Sequence, residues 1–555
     1  MRFQPSMRAG TDPYTHPTKP PLPPADYHRR VERGLIIERN CRIPLRDGVE
    51  LLCDVYRPEN AMSGVPLLLA WGPYGKHALT DRVFWPRSGV DPDWLSDLTA
   101  FEAPDPVWWG EQGFAVAVVD PRGAWLSGGD FHHNGSQEAE DCADAIEWLG
   151  RLPWANGRVG ISGVSYLAGI QYLVAPLRPG PLAALNPWEA FSDWYREFAY
   201  HGGILETSFL PRACDNIQWS LHRTEDSWAN INAHQLIDDY WRSKEFDLEA
   251  IRQPAYVVAS WSDQGLHLRG TIEAYRRMGS AEKWLEIHGQ KKWAHYYRSE
   301  SRKRQLAFFD HYLRDRPTSL PAWPKVRIEV RERHGVAEER AEREWPIART
   351  DYRRLALDAA NGALTAREPA EAEARYPAET GSVAFDLSFD TDTEITGHAS
   401  LRLWVEADGS DDVDLFVALQ KINTAGGHVG FTFYAFYENG PVALGWQRVS
   451  HRALDPARSR PEQPVHLHTY EERLEPGACV LVEIEIWPFS ARFSAGETLR
   501  LIVAGHDIYR KEEGVFLPFP MHEQTRNAGT HIIRTGGVFD SSILLPFVPP
   551  REDQT

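Results

Sequence analysis

Short runs of apolar residues, separated by stretches with helical spacing, organise the first three hundred residues of the chain. The runs Val65–Trp71 and 114–119 are continuously apolar, which is typical of strands buried on both faces. Residues 138–149 instead place their apolar side chains at helical spacing. This alternation predicts a parallel, doubly wound α/β sheet. Further strands are predicted at 158–162, 256–260 and 284–287, and further helices at 166–174 and 268–278.

The pattern changes at both ends of this region and once inside it. Residues 1–32 are rich in proline and are predicted to form an extended arm. Between residues 188 and 250 the alternation stops, and an aromatic, mostly helical insertion is expected over one edge of the sheet. After residue 317 short strands follow one another without helices, which predicts an antiparallel sandwich.

Composition narrows the classes of function. The 555 residues carry 60 basic and 78 acidic side chains, a formal charge of −18, which argues against nucleic acid as the main partner. The five cysteines are widely spaced, odd in number and never in C-x-x-C pairs, which favours a reducing, cytoplasmic location. Neither an apolar signal-peptide core nor a run of about 18 apolar residues occurs, so we expect no secretory signal and no membrane partner.

A nucleophile elbow is predicted at Ser165, where a predicted strand gives way to a predicted helix. Such an elbow needs a tight turn that lifts one side chain above the edge of the sheet. Gly163 and Ala168 are small enough to let strand and helix approach each other around that turn. The match is G-x-S-x-x-A, because Leu167 stands where G-x-S-x-G has its second glycine. Ser162, inside the predicted strand, is the weaker candidate.

A serine nucleophile needs a base, and the base needs a third group that orients it. In doubly wound hydrolases the acid and then the histidine follow the serine in the chain, each just beyond a strand. Asp263 and His295 fit that order and are predicted as the acid and the base. His288 falls within a predicted strand, where a core role is expected. His267, at the start of a predicted helix, is the other rival.

The oxyanion of a tetrahedral intermediate also needs hydrogen-bond donors. One is expected from the backbone N–H of Tyr166, the residue after the nucleophile. The loop at 72–76 has no glycine run, so a side-chain donor is expected there, and the Tyr74 hydroxyl keeps its proton at neutral pH. The alternative for Tyr74 is a buried ring bonded to a backbone carbonyl.

Several dispersed motifs together resemble the cocaine esterase and NonD-type hydrolases, which are related to α-amino-acid ester hydrolases and X-Pro dipeptidyl-peptidases. The resemblance covers about residues 33–545. It implies Ser165 as nucleophile, Asp263 as acid, His295 as base and Tyr74 as an oxyanion donor. The motifs are RDG at 46–48, DVYRP at 54–58, GPYGK at 72–76, DPRG at 120–123, GVSYL at 163–167, WSD at 261–263, WAH at 293–295, FFDHYL at 308–313, GWQRVSHR at 445–452 and GETLRL at 496–501.

The resemblance also implies a three-part enzyme beyond the arm at 1–32. An α/β-hydrolase catalytic domain would comprise residues 33–187 and 251–317, with a helical cap at 188–250. A jelly-roll β-sandwich would comprise residues 318–555 and help to wall the site.

The substrate pocket is less well determined by the sequence. Gly265 follows the acid closely, where some relatives place a bulky aromatic ring against the acyl group. The carboxylates that hold a substrate ammonium in amino-acid ester hydrolases have no clear counterpart, although Asp310 is a candidate. Trp188 and Tyr200, at the start of the cap, are candidate pocket walls, with a role in the core as the alternative.

Taken together, the residues predict a serine hydrolase that cleaves a carboxylic ester, or less readily an amide, of a small organic molecule. This chemistry needs no metal or organic cofactor, so none is expected. The adjacent His132 and His133 lack a third spaced ligand, so a metal site is not expected there either. The alternatives are an X-Pro dipeptidyl-peptidase or amidase, an acyl transferase or lactone-handling enzyme, and a non-catalytic binding scaffold. Oligomeric state, including a homo-oligomer, is left open.

Overall fold

The computed structural model describes residues 3–17, 25–77, 88–510 and 519–551. Most of the prolines that predict the N-terminal arm, at positions 20, 21, 23 and 24, lie outside those ranges. Within the described ranges, no helix is long and apolar enough to cross a membrane.

An eleven-stranded sheet forms the centre of the N-terminal region, and its middle strands run parallel. The strands of this region are β1 (Met7–Ala9), β2 (His28–Glu32), β3 (Leu35–Pro44), β4 (Glu50–Pro58), β5 (Val65–Trp71), β6 (Ala115–Asp120), β7 (Ala155–Val164), β8 (Leu182–Trp188), β9 (Tyr200–His201), β10 (Ile204–Leu205), β11 (Arg223–Glu225), β12 (Ala255–Ser260), β13 (Lys283–His288), β14 (Val326–Arg333) and β15 (Val336–Glu342). The strand order of the large sheet is β15-β14-β13-β12-β8-β7-β5-β6-β4-β3-β2.

Strand β5 shows why these apolar runs become central strands. All of its residues are buried. Leu67, Leu69 and Trp71 face one apolar core, while Leu68 and Ala70 face another on the opposite side of the sheet. Helices cover both faces. The helices are Pro106–Glu111, Ser136–Gly150, Tyr166–Val174, Phe209–Asn216, Ser227–Ala233, Asp239–Arg242, Leu268–Arg277, Lys292–Tyr297 and Ser299–Arg314, with a π-helix at Tyr195–Ala199 and 3-10 turns at Pro13–Thr15, Pro92–Trp94, Ala175–Leu177, Leu248–Ala250, Leu320–Ala322 and Val449–His451.

The insertion after β8 is a mixture of short helices and short strands. Strands β9 and β10 form a small hairpin, and β11 pairs with β1 near the N-terminus. The N-terminal residues described are therefore partly tied down by pairing, in contrast to the extended arm expected from composition. Strand β2 likewise pairs with β3 at the edge of the large sheet.

The C-terminal region is a twelve-stranded, mostly antiparallel sandwich that closes on itself, because its last strand, Ser542–Phe547, pairs with both Asp351–Asp358 and Thr393–Asp408. Its apolar core is separate from the two cores of the large sheet. These strands are β16 (Asp351–Asp358), β17 (Ala363–Thr365), β18 (Ala372–Pro377), β19 (Ser382–Ser388), β20 (Thr393–Asp408), β21 (Asp414–Ile422), β22 (His428–Val429), β23 (Phe431–Phe433), β24 (Tyr437–Gly440), β25 (Ala443–Arg448), β26 (Val480–Phe493), β27 (Thr498–Ala504), β28 (Thr530–Thr535) and β29 (Ser542–Phe547). β23 and β24 pair as a separate hairpin.

These features confirm the predicted class, an α/β-hydrolase sheet followed by a β-sandwich. One boundary differs from the sequence-based prediction at residue 317. Strand β14 pairs in parallel with β13, and β15 extends the same sheet at its edge. Alternating burial in β14 fits either sheet, so the sequence pattern alone assigned it to the wrong one.

Candidate active site

Ser165 lies on a strained turn between β7 and the helix Tyr166–Val174. Its backbone angles are φ 61° and ψ −115°, a conformation that costs a non-glycine residue about 1–3 kcal/mol. A Cβ on Gly163 would lie 2.5 Å from the Cβ of Leu167, so glycine is required where the chain doubles back. The turn therefore has the geometry of a nucleophile elbow at the carboxyl end of the sheet.

A buried chain of hydrogen bonds leads from the serine to a histidine and an aspartate. The Oγ of Ser165 lies 2.9 Å from Nε2 of His267, and Nδ1 of His267 lies 2.5 Å from Oδ2 of Asp263. All three residues are at most 8% exposed. Asp263 and His267 are four residues apart, in the loop between β12 and the helix Leu268–Arg277. The arrangement gives the serine a proton acceptor and gives that acceptor an oriented partner.

The structure corrects the choice of histidine. It places His295 on the short helix Lys292–Tyr297, with Nε2 2.7 Å from Oε1 of Glu286. The ring also stacks on His288 with 3.7 Å between centroids and a 16° tilt. His267 occupies the position predicted for His295, because the loop after Asp263 returns a histidine to the acid within one turn. The spacing D-x-x-x-H was the sequence signal that could have identified it.

The electrostatics of the site keep the histidine neutral and the aspartate ionised. Burial lowers the pKa of His267 to about 4, although the Asp263 carboxylate raises it in part. Burial would raise the pKa of Asp263, but His267 and the Lys292 ammonium together hold it below its usual value. Lys292 Nζ lies 3.9 Å from Oδ2 of Asp263. At neutral pH the site therefore contains an imidazole able to accept a proton.

Two hydrogen-bond donors meet at Ser165. The Tyr74 hydroxyl is hydrogen-bonded to the serine side chain, and burial raises the pKa of Tyr74 well above its usual value, so the phenol keeps its proton. The Tyr74 ring is held edge-on by Phe101 at 5.1 Å between centroids. The backbone N–H of Tyr166 opens the helix that follows Ser165, where no intrahelical acceptor exists. Both predicted oxyanion donors thus lie beside the serine.

The two aromatic side chains predicted as pocket walls have packing roles in the structure. Trp188 is fully buried, donates its indole N–H to Asn186 Oδ1 at 3.0 Å and packs edge-on against Tyr296. The Tyr200 hydroxyl donates to the backbone carbonyl of Ile231 at 2.9 Å, and its ring stacks within the cap. These contacts favour the core alternative for both residues.

Other rings surround the site, and they come from the insertion and the sandwich. Phe198 contacts the His267 ring edge-on at 5.5 Å between centroids, and Phe209 contacts Tyr434 at 5.6 Å. Tyr434 belongs to the loop between β23 and β24, and its N–H donates to the carbonyl of Ser262 at 2.7 Å. The sandwich therefore reaches the acid loop directly. Nothing in the local sequence marks Tyr434, since its position depends on how two distant parts of the chain meet.

The remaining candidate ligands have structural partners. His133 contacts Ser227 and Thr224 through its two ring nitrogens. Asp310 forms an ion pair with Arg314 at 2.9 Å, one turn along the same helix. Among the residues that the structure describes, no group of three or more His, Cys, Asp or Glu side chains is arranged to hold a metal ion.

Two family models match the chain. Residues 47–220 match X-Pro dipeptidyl-peptidase of the S15 family, and residues 321–544 match the X-Pro dipeptidyl-peptidase C-terminal non-catalytic domain. Among solved structures, a CocE/NonD family hydrolase from Staphylococcus aureus is 38% identical with a TM-score of 0.89. That similarity covers 93% of this chain and 94% of the other.

Similarity to curated proteins is weaker and partial. Cocaine esterase from Rhodococcus sp. strain MB1 Bresler is 28% identical over 393 residues, 60% of this chain and 64% of that protein. Xaa-Pro dipeptidyl-peptidase from Lactobacillus helveticus strain DPC 4571 is 28% identical over 118 residues, 19% of this chain and 14% of that protein. The chain thus spans less than two thirds of the length of the curated relatives it matches.

Proposed function

The chain belongs to the CocE/NonD hydrolase family, and we propose that it cleaves a carboxylic ester of a small organic substrate through an acyl-enzyme intermediate. Ser165 is the nucleophile, His267 the general base and Asp263 the acid that orients it. Tyr74 and the backbone N–H of Tyr166 are the oxyanion donors. The observation that supports this assignment is the continuous buried chain from Ser165 through His267 to Asp263.

The first half of the reaction follows from these contacts. The Ser165 hydroxyl attacks the carbonyl carbon, and its proton passes to Nε2 of His267. The carbonyl oxygen gains the negative charge and accepts hydrogen bonds from Tyr74 and the Tyr166 N–H. When the tetrahedral intermediate collapses, the C–O bond to the alcohol breaks and His267 returns the proton to the leaving oxygen.

The second half repeats the same steps with water. A water molecule gives its proton to His267 as its oxygen attacks the acyl carbon. The bond to Ser165 Oγ then breaks, the proton returns to Oγ, and the carboxylic acid leaves. Asp263 keeps Nδ1 of His267 protonated throughout, so Nε2 is always the nitrogen that exchanges the proton. Every group needed is a side chain or a backbone N–H, so no metal ion or cofactor is required.

Substrate class is tested by comparing two kinds of chromogenic substrate. We expect p-nitrophenyl esters of short acids to be cleaved with a higher kcat/KM than an alanyl-prolyl p-nitroanilide, because family membership favours ester cleavage. A higher kcat/KM for the anilide would instead assign the enzyme to the X-Pro peptidases. Added alcohol that diverted the acyl group from acid to ester would indicate a transferase.

The five cysteines are unpaired, which suits the cytoplasmic location expected from composition.

Removing the Tyr74 hydroxyl should slow catalysis without weakening substrate binding. Tyr74→Phe is expected to lower kcat by about 10²- to 10³-fold with little change in KM, because one oxyanion donor is lost. Tyr172→Phe is a matched control, since Tyr172 is also buried but lies inside the helix that follows the elbow. Steady-state kinetics on a p-nitrophenyl ester measure both. A Tyr74→Phe enzyme as active as Tyr172→Phe would remove Tyr74 from the oxyanion site.

The pH dependence of kcat/KM should report the low pKa of His267. The free imidazole must accept a proton, and burial lowers its pKa to about 4, so activity is lost only as the pH falls through about 4. The profile should be flat from about pH 6 to pH 9, since kcat/KM reports the ionisations of the free enzyme. Recovery of activity after return to neutral pH controls for acid unfolding. A half-maximal value at the ordinary histidine pKa would contradict the assignment.

A further inference from the structure

The carboxyl group of Asp263 lies against a second buried carboxyl group, that of Glu189. Oδ2 is bonded to His267, which leaves Oδ1 buried and, among the described residues, without an N–H or O–H donor. Oε2 of Glu189 is likewise buried and, among the described residues, has no N–H or O–H donor. The two carboxyl groups are in hydrogen-bonding contact with each other. Two buried carboxyl groups in contact cannot both be ionised, so one proton lies between them.

The neighbours decide which carboxyl holds that proton. Asp263 faces two cationic or proton-donating groups, His267 at 2.5 Å and the Lys292 ammonium at 3.9 Å, and both favour its ionised form. Glu189 has no ion pair with a lysine or arginine in the part of the chain that the structure describes. Burial first, and then the charge of Asp263, raise the pKa of Glu189 well above its usual value. The proton therefore resides on Glu189.

His288 orients the other oxygen of Glu189. The backbone N–H of Gln290 donates to Nδ1 of His288 at 3.1 Å, so that nitrogen is unprotonated and the proton is on Nε2. Nε2 lies 3.2 Å from Oε1 of Glu189 and donates to it. Burial and the neighbouring His295 ring lower the pKa of His288 well below its usual value, which keeps the ring neutral. Oε1 is thus an acceptor, and Oε2 is left as the donor.

The backbone at Glu189 also points to a function. Glu189 follows β8 directly, is fully buried and has φ 48°, a left-handed conformation that is unfavourable for a residue with a Cβ. Its N–H donates to the carbonyl of Val258 in β12 at 2.7 Å. Strained backbone conformations are found mostly at functional sites. The strain at Glu189 therefore indicates a functional role, and its position after β8 brings its carboxyl group to Asp263.

We propose that Glu189 is a positioning residue whose protonated carboxyl donates a hydrogen bond to Oδ1 of Asp263 and fixes that carboxylate against His267. This inference rests on the proposed function of the Ser165 site. The hydrogen bonds then run in one direction from the Gln290 N–H through His288 to Glu189. At Asp263 they meet the opposite series that starts at the Ser165 hydroxyl, so both oxygens of the acid accept a donor.

Glutamine at position 189 separates this role from that of a negative charge. Glu189→Gln keeps an acceptor for His288 and an N–H donor for Asp263, so kcat should stay within about threefold of wild type. Glu189→Ala removes the donor and should lower kcat by about 10- to 100-fold with KM unchanged. The acid limb of kcat/KM should be the same in Glu189→Gln and wild type, because the proposal leaves residue 189 uncharged in both. The groups that face this carboxyl are Lys292, Glu102 and Asp263, together with His288. A Gln variant as slow as the Ala variant overturns the proposal.

A control variant and a spectrum keep the test decisive if Glu189→Ala does not fold. Glu286 is a second buried glutamate, but its carboxylate accepts hydrogen bonds from Arg304 and His295, and these lower its pKa. Glu286→Gln should therefore lower the Tm, whereas Glu189→Gln should not. The infrared spectrum of the wild type minus that of Glu189→Gln, both at neutral pH, should contain the carbonyl band of a protonated carboxylic acid. Absence of that band from the difference spectrum overturns the proposal.

The result for Glu189 is distinguishable from a failure of the proposed function. Ser165→Ala measured beside these variants reports whether the Ser165 site catalyses the reaction at all. If Ser165→Ala is inactive and Glu189→Gln is as impaired as Glu189→Ala, only the role of Glu189 is refuted. If Ser165→Ala remains active, the assignment of the site is wrong and the inference about Glu189 is overturned with it.

Discussion

Replacing either Ser165 or His267 with alanine is expected to lower kcat/KM for an ester by about 10⁴- to 10⁶-fold. The two side chains act as one unit, since Ser165 Oγ has Nε2 of His267 at 2.9 Å as its proton acceptor. The double variant should therefore be hardly slower than either single variant. Steady-state kinetics on a p-nitrophenyl ester, with each variant checked by circular dichroism, provide the measurement.

The control for this prediction is the histidine that the sequence favoured. His295→Gln should keep most of the activity, because the ring contacts Glu286 and His288 and forms no hydrogen bond to the serine. Ser162→Ala should also remain active, since that hydroxyl is bonded to Asn186 and Tyr296 inside the sheet. Loss of activity in His295→Gln together with full activity in His267→Ala would contradict the assignment.

The second large effect is expected at Asp263. Asp263→Asn should lower kcat by about 10⁴-fold, because an amide can present N–H to Nδ1 of His267 and stabilise the wrong tautomer. KM should change little, as Asp263 reaches the substrate only through His267. The same substitution at Asp310, an ion-pair partner of Arg314, is the matched control and should leave kcat near wild type. Equal activity of the two variants would show that Asp263 does not orient the base.

Much of the catalytic fold was predictable because its strands are buried on both faces. Val65–Trp71 is apolar at every position, and the structure makes it a central strand between two apolar cores. The elbow was predictable for a related reason, since small residues must surround a serine between a strand and a helix. By contrast, buried and partly exposed residues alternate in Val326–Arg333, which suits a strand of either the large sheet or the sandwich. The pattern therefore could not identify the domain to which that strand belongs.

The prediction of His295 gave chain order more weight than local geometry, and the structure places His267, not His295, in hydrogen-bonding contact with Ser165. His295 follows the next strand, as the general order of acid and histidine suggests, but its helix turns the ring towards Glu286. His267 lies four residues after Asp263 and meets the acid within the same loop. In the proposed triad the acid and the base therefore come from one connection of the sheet.

The pocket and the support of the acid could not be predicted from sequence patterns. Tyr434 reaches the acid loop from the sandwich, and Phe198 and Phe209 reach the site from the insertion. Their proximity depends on tertiary packing between segments that are distant in the sequence. Glu189 carries no local signal either, because a glutamate after a strand is ordinarily exposed.

The most direct test of Ser165 as the nucleophile is covalent labelling by a fluorophosphonate, which reacts only with an activated serine. Mass spectrometry of the digested protein should find one adduct, on the peptide that contains Ser165. His295→Gln should be labelled at nearly the wild-type rate, whereas His267→Ala should be labelled about 10³-fold more slowly. An adduct on another serine, or labelling that depends on His295 and not on His267, would contradict the assignment of Ser165 as nucleophile and His267 as base.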